Sequence, residues 1–99
     1  MIVIFRLVSG EEMMGGIQSY SDGVYYIDKP VLVKIYQQEN GQAGIGFLPF
    51  LMLAKNQHEI PFAKSSMVTL PVEVDTELAE AYTQQTSDII LPKQSGIIL

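Results

Sequence analysis

With 99 residues, 47% of them apolar and 17% charged, the chain has room for one hydrophobic core but not two, and its composition excludes a disordered, highly charged segment. The absence of cysteine excludes disulfides, thiolate metal sites and thiol catalysis. Net charge is −5 and unevenly spread: residues 71–99 carry Lys93 against Glu73, Asp75, Glu77, Glu80 and Asp88, and no basic cluster marks a general polyanion-binding surface.

A mean hydropathy of +0.20 is high for so small and surface-rich a domain, and it points to apolar surface covered by another subunit. Ile2 to Val8, β-branched and aromatic with Arg6 inside it, reads as a buried strand and not as a signal peptide. The longest apolar run, Ile45 to Ala54, contains Pro49 and is well short of the ~20 residues of a membrane span. No membrane segment is expected, and a cytoplasmic compartment is.

Ser9-Gly10-Glu11-Glu12 is a turn, and Met13 to Tyr20 a second strand. Strict alternation there puts Met13, Gly15, Ile17 and Ser19 on one face and Met14, Gly16, Gln18 and Tyr20 on the other. The adjacent glycines predict a sharp bend or a close backbone approach. Ser21-Asp22-Gly23 is a hairpin turn into a third strand that starts Val24-Tyr25-Tyr26-Ile27, bulges at Pro30 and resumes as VLVKIYQQ. Glu39-Asn40-Gly41-Gln42 turns the chain into a bent fourth strand, AGIGFLPFLMLA. Lys55 to His58 turns it again into a fifth extended segment, Ile60 to Val74.

Five strands with regular turns predict a mainly β protein, a small antiparallel barrel or sandwich over residues 1–74. Residues 75–99 change character. Asp75 or Thr76 caps a helix over TELAEAYTQQT, with Leu78, Ala81 and Tyr82 forming its apolar stripe. The final DIILPKQSGIIL reads as an extended arm or a sticky tail, through which a protein partner is expected.

Chemistry-bearing patterns are sparse. His58 lies in a polar turn, and Glu11 and Glu12, being adjacent in extended chain, face opposite ways. No nucleophile–base spacing, phosphate-binding glycine loop or zinc pattern is present, so neither an enzyme nor a metal or other cofactor is expected. Met13, Met14, Met52 and Met67 read as core filler.

The spacing of Leu7, Gly10, Met13, Gly15, Ile17, Tyr20-Ser21, Val24-Tyr25-Tyr26 resembles the first signature of Sm-like (LSm) proteins. Ala63-Lys64-Ser65-Ser66-Met67-Val68 resembles the second, an apolar-Arg-Gly-Asp/Asn pattern. Together they cover about residues 2–72. The resemblance implies a five-stranded, strongly bent Sm-like barrel that pairs edge to edge into a homo-oligomeric ring, with AGIGFLPFLML as one edge. It also implies binding of single-stranded RNA, or DNA, around the inner rim. Carried onto this chain, the rim residues are Ser21, Asp22, Gly23, Tyr25, Lys64, Ser65 and Ser66. Here Ser21 stands for the family's Asp, Gly23 for its base-stacking side chain, Tyr25 for its Asn and Lys64 for its Arg. The alternative that follows from these departures, from the acidity and from the apolar C-terminal segment is a ring-shaped protein scaffold that does not bind nucleic acid.

Overall fold

A computed structural model describes residues 1–90; the expected tail from Leu91 onward lies outside the described residues. The described residues are mainly β: β1 (Ile2–Leu7), β2 (Glu12–Ser21), β3 (Val24–Gln37), β4 (Ala43–Pro49), β5 (Ile60–Ala63) and β6 (Met67–Glu73), followed by the helix α1 (Thr76–Ile90). All pairings are antiparallel, in the order β4-β3-β2-β1-β6, with β5 also on β3.

Among the described residues, six strands stand where five were expected. The segment Ile60 to Val74 is broken by a 3-10 turn, Lys64–Ser66, after which the chain leaves β3 and joins β1 at the opposite side of the sheet. The fourth strand stops at Pro49, and residues 50–59 form an irregular loop that exposes Met52, which is therefore not core. The helix runs beyond TELAEAYTQQT to Ile90.

The tight turns lie where the small and polar residues are. Leu7 N–H donates to Glu11 C=O at 2.9 Å around Gly10, and Gln38 N–H to Gln42 C=O at 2.7 Å around Gly41; both glycines have positive φ. The bulge at Lys29-Pro30 is present: Met14 faces Val31 and Gly16 faces Asp28, so β3 carries an extra residue there, with Lys29 at φ 48°. Gly15 is the close approach. A Cβ on it would run into Ile27 Cγ2 and lie 2.9 Å from Asp28 O.

Met13 and Met14, neighbours on β2, point into two different cores. The first, inside the curve of the sheet, contains Val3, Phe5, Met13, Ile27, Ile60, Phe62 and Met67. The second lies under α1 and contains Met14, Val31, Phe47 and Tyr82, flanked by Leu78 and Ala81 of the expected stripe. Asp75 caps the helix, its Oδ1 accepting from Leu78 N–H at 2.8 Å. Tyr82 locks it down: its hydroxyl donates toward the Lys29 and Asp28 carbonyls at 2.6 and 3.1 Å, and its ring meets Phe47 edge-on. The β3 bulge presents those two carbonyls to the helix.

Candidate nucleic-acid interface

Two turns distant in sequence meet at one end of the sheet. Asp22 and Gly23, both at positive φ, form the two-residue turn closing the β2–β3 hairpin, with Ser21 opposite Val24. The 3-10 turn Lys64–Ser66 follows β5, whose Ala63 is opposite Val24. Lys64 N–H donates to Gly23 C=O at 2.8 Å, bolting one turn to the other. On its far side Val8 N–H donates to Ser66 C=O at 2.8 Å, and Ser66 Oγ closes on Ala63 C=O at 2.6 Å. Ser21, Asp22, Gly23, Lys64, Ser65 and Ser66 thus form one surface, of which only Gly23 and Ser66 are half-buried.

Tyr25 has a different place. It stands opposite Phe62 of β5 and packs on the first core, half-buried, so most of its ring is not offered to a ligand. The exposed ring is that of Tyr20, 48% accessible, whose centroid lies 4.5 Å from that of Tyr25 at a 47° tilt. Simple alternation puts Tyr20 on the Met14 face, and that is incorrect. Ile17 faces Ile27 and Ser19 faces Tyr26, so Gln18 is an extra residue in β2, and past it the side chains change faces. Tyr20 therefore joins Tyr25 on the Met13 side. The signal for it was the hairpin itself: a two-residue turn at Asp22-Gly23 forces Ser21 opposite Val24 and Tyr20 opposite Tyr25.

The electrostatics of this surface rest on few groups. Among the described residues Arg6 pairs with Glu12 and the contact of His58 is with Asp28, so neither acid is engaged by Lys64, whose exposed ammonium stands unpaired beside the turn that carries Asp22. Glu11, at the neighbouring turn, is held below its ordinary carboxylate value by the Ser9 hydroxyl that donates to it, so it stays anionic. His58 is a surface residue 3.6 Å from Asp28. That carboxylate also accepts from Gln18 Nε2 at 2.6 Å and from Glu59 N–H at 2.9 Å, so the cluster ties the β2 bulge to the end of the 50–59 loop.

Among the described residues no cluster of three or more His, Cys, Asp or Glu side chains has the geometry to hold a metal ion, and no helix is long and apolar enough to cross a membrane. No family model matches the sequence, and no curated protein matches it.

Proposed function

We propose that the chain is an Sm-like barrel that assembles edge to edge into a homo-oligomeric ring and binds single-stranded nucleic acid, RNA first, in a non-catalytic role. The observation that carries this reading is the 2.8 Å hydrogen bond from Lys64 N–H to Gly23 C=O, which joins the turns of the two signatures into one surface. The strand order supports it as well. β5 and β6 flank the 3-10 turn and run at opposite sides of the sheet, each with an unpaired flank among the described residues, as head-to-tail pairing of neighbours requires.

In this reading Lys64 supplies the phosphate contact, as a point charge without arginine's planar fork. Tyr20 supplies the stacking face, with Tyr25 bracing it from behind. Repetition around a ring turns one lysine per subunit into a circle of charge, so weak single contacts add through multivalency. Filter binding of oligo-U, oligo-A and single-stranded DNA at low and moderate salt tests it. Lys64→Ala and Tyr20→Ala are expected each to weaken binding by about tenfold, with the lysine variant also flattening the salt dependence. Absence of binding by the assembled protein, or binding untouched by both substitutions, overturns the nucleic-acid reading.

A second reading, a ring that scaffolds a protein partner, is favoured by one feature. The loop after β4 exposes Leu51, Met52 and Leu53 together, the last 87% accessible. An assembled ring that ignores all three oligonucleotides but loses a co-purifying protein on Leu53→Asp supports this alternative.

A further inference from the structure

Two surface features of the single subunit complement each other. The first is a groove of about 480 Å³ between α1 and the sheet, floored by the half-buried Ile2, Val74 and Ala79 and rimmed by the exposed Glu73 and Glu80. Among the described residues no basic side chain lines it, and neither glutamate has an ionic partner. The second is the loop after β4, where Leu51, Met52 and Leu53 stand exposed just before Lys55, itself exposed and unpaired among the described residues. That loop is held in shape. Ala54 N–H and Gln57 Nε2 both donate to Leu51 C=O at 2.9 Å, while Gln57 C=O accepts from Lys29 N–H and Glu59 N–H donates to Asp28 Oδ1. An apolar knob with a cation thus stands on one side of the molecule, and an apolar groove with two anions on another.

The proposed ring brings the two together. The Lys64–Ser66 turn closes β5 and opens β6, so it lies at the end of one strand and at the start of the other. A continuous rim needs the turn of each subunit beside the turn of the next. A neighbour's β5 then runs antiparallel to β6, its Ala63 end at Met67 and its Ile60 end toward Glu73. The four residues of β5 span about 13 Å of the roughly 23 Å of β6. The chain ahead of Ile60, which is the 50–59 loop, therefore comes to the end of β6 where Glu73 and Val74 lead into the groove.

We propose that the 50–59 loop of one subunit docks in the groove of the next, with Leu53 on the floor of Ile2, Val74 and Ala79 and Lys55 at the Glu73 and Glu80 rim. The contact rests on the ring reading with its continuous rim. It makes the interface heterologous, since the knob and the groove are different surfaces, and a face-to-face dimer gains nothing from it. It also covers the exposed leucine within the assembly, where the scaffold alternative needs an outside protein.

Sedimentation velocity of the full chain from roughly 1 to 100 µM tests it. Lys55→Glu and Glu80→Lys are each expected to raise the concentration of half-assembly about tenfold, and the double variant, with the charges exchanged, to recover most of that loss. Both positions are exposed in the single subunit, and the recovery separates a lost contact from a lost fold. The chain has no cysteine, so Leu53→Cys chains mixed with Ala79→Cys chains should give a disulfide-linked dimer on mild oxidation that neither variant gives alone. A wild-type chain that stays monomeric throughout overturns the ring and this contact with it. An assembly that forms, is unchanged by both charge substitutions and yields no mixed disulfide overturns the contact alone.

Discussion

Met13 and Met14 are consecutive and both fully buried, yet they belong to cores closed in different ways. The Met13 core is enclosed by the sheet's own curvature, which brings Phe62 of β5 edge-on to Phe5 of β1 at 5.1 Å. The Met14 core is the outer face of the same strands, and it is dry only because α1 lies on it. The first follows from glycine and bulge positions within the strands. The second depends on a separate element docking through one tyrosine.

The largest expected effect is in the sheet-enclosed core. Phe5→Ala should cost about 3–5 kcal/mol of unfolding free energy, because Phe5 is almost completely buried among Phe62, Met13 and Ile27. Urea denaturation followed by far-UV circular dichroism measures it, and a loss under 1 kcal/mol, roughly that of a surface position, would argue that this core is not closed as described.

Gly15→Ala should come next, at about 1–3 kcal/mol, since the added Cβ meets Ile27 Cγ2 and the Asp28 carbonyl and must push β3 away. The control is Gly16→Ala, whose Cβ would meet only ordinary contacts at 3.7 Å and beyond. Equal destabilisation by the two would remove the case for a backbone approach at Gly15.

Tyr82→Phe addresses the helix-closed core at about 1 kcal/mol near neutral pH, leaving the Lys29 and Asp28 carbonyls without their shared donor. It also carries a pH signature. Burial, and next the Asp28 charge, push the Tyr82 phenol well above its ordinary value. The unfolded chain then releases this proton near pH 10 while the native one holds it. Native stability from this group is thus complete below pH ~10 and is lost as pH rises above it, by up to about 1.4 kcal/mol per pH unit. Comparing wild type and Tyr82→Phe by urea titration from pH 8 to 11 should show a steeper alkaline decline in the wild type. Parallel curves would contradict the buried phenol.

The smallest effect is expected at the helix start. Asp75→Ala removes the cap on Leu78 N–H and should lower stability by about 0.5–1 kcal/mol, while Asp75→Asn should restore most of it. A loss that Asn does not restore would assign Asp75 a role other than capping.

Much of the path of the chain is legible along the sequence, because turns and bends are local. Gly10, the Asp22-Gly23 pair and Gly41 mark reversals that need left-handed backbone, and Lys29-Pro30 marks the bulge. Gly15 marks the close approach, and the Leu78, Ala81 and Tyr82 stripe the helix face. The break at Lys64–Ser66 is not legible in this way. IPFA and MVTLPVE are equally extended, and what separates them is that Lys64 N–H finds Gly23 C=O while Ser66 C=O finds Val8 N–H, contacts made by residues far apart in the chain. The candidate surface divides along the same line. Its two turns lie at the signature positions, but the exposed ring is Tyr20 and not Tyr25, because an extra residue at Gln18 rotates the strand.

By itself, then, the sequence determined a mainly β chain, most of its turns, the bent glycine strand and the amphipathic C-terminal helix, since each depends on backbone preferences and periodicity within a few residues. The tertiary structure alone decided that the fifth segment is two strands on opposite sides of the sheet, that the turns of Gly23 and Lys64 share a hydrogen bond, and which tyrosine faces outward. Strand register is a property of pairs, and a single-residue bulge reverses every side chain beyond it.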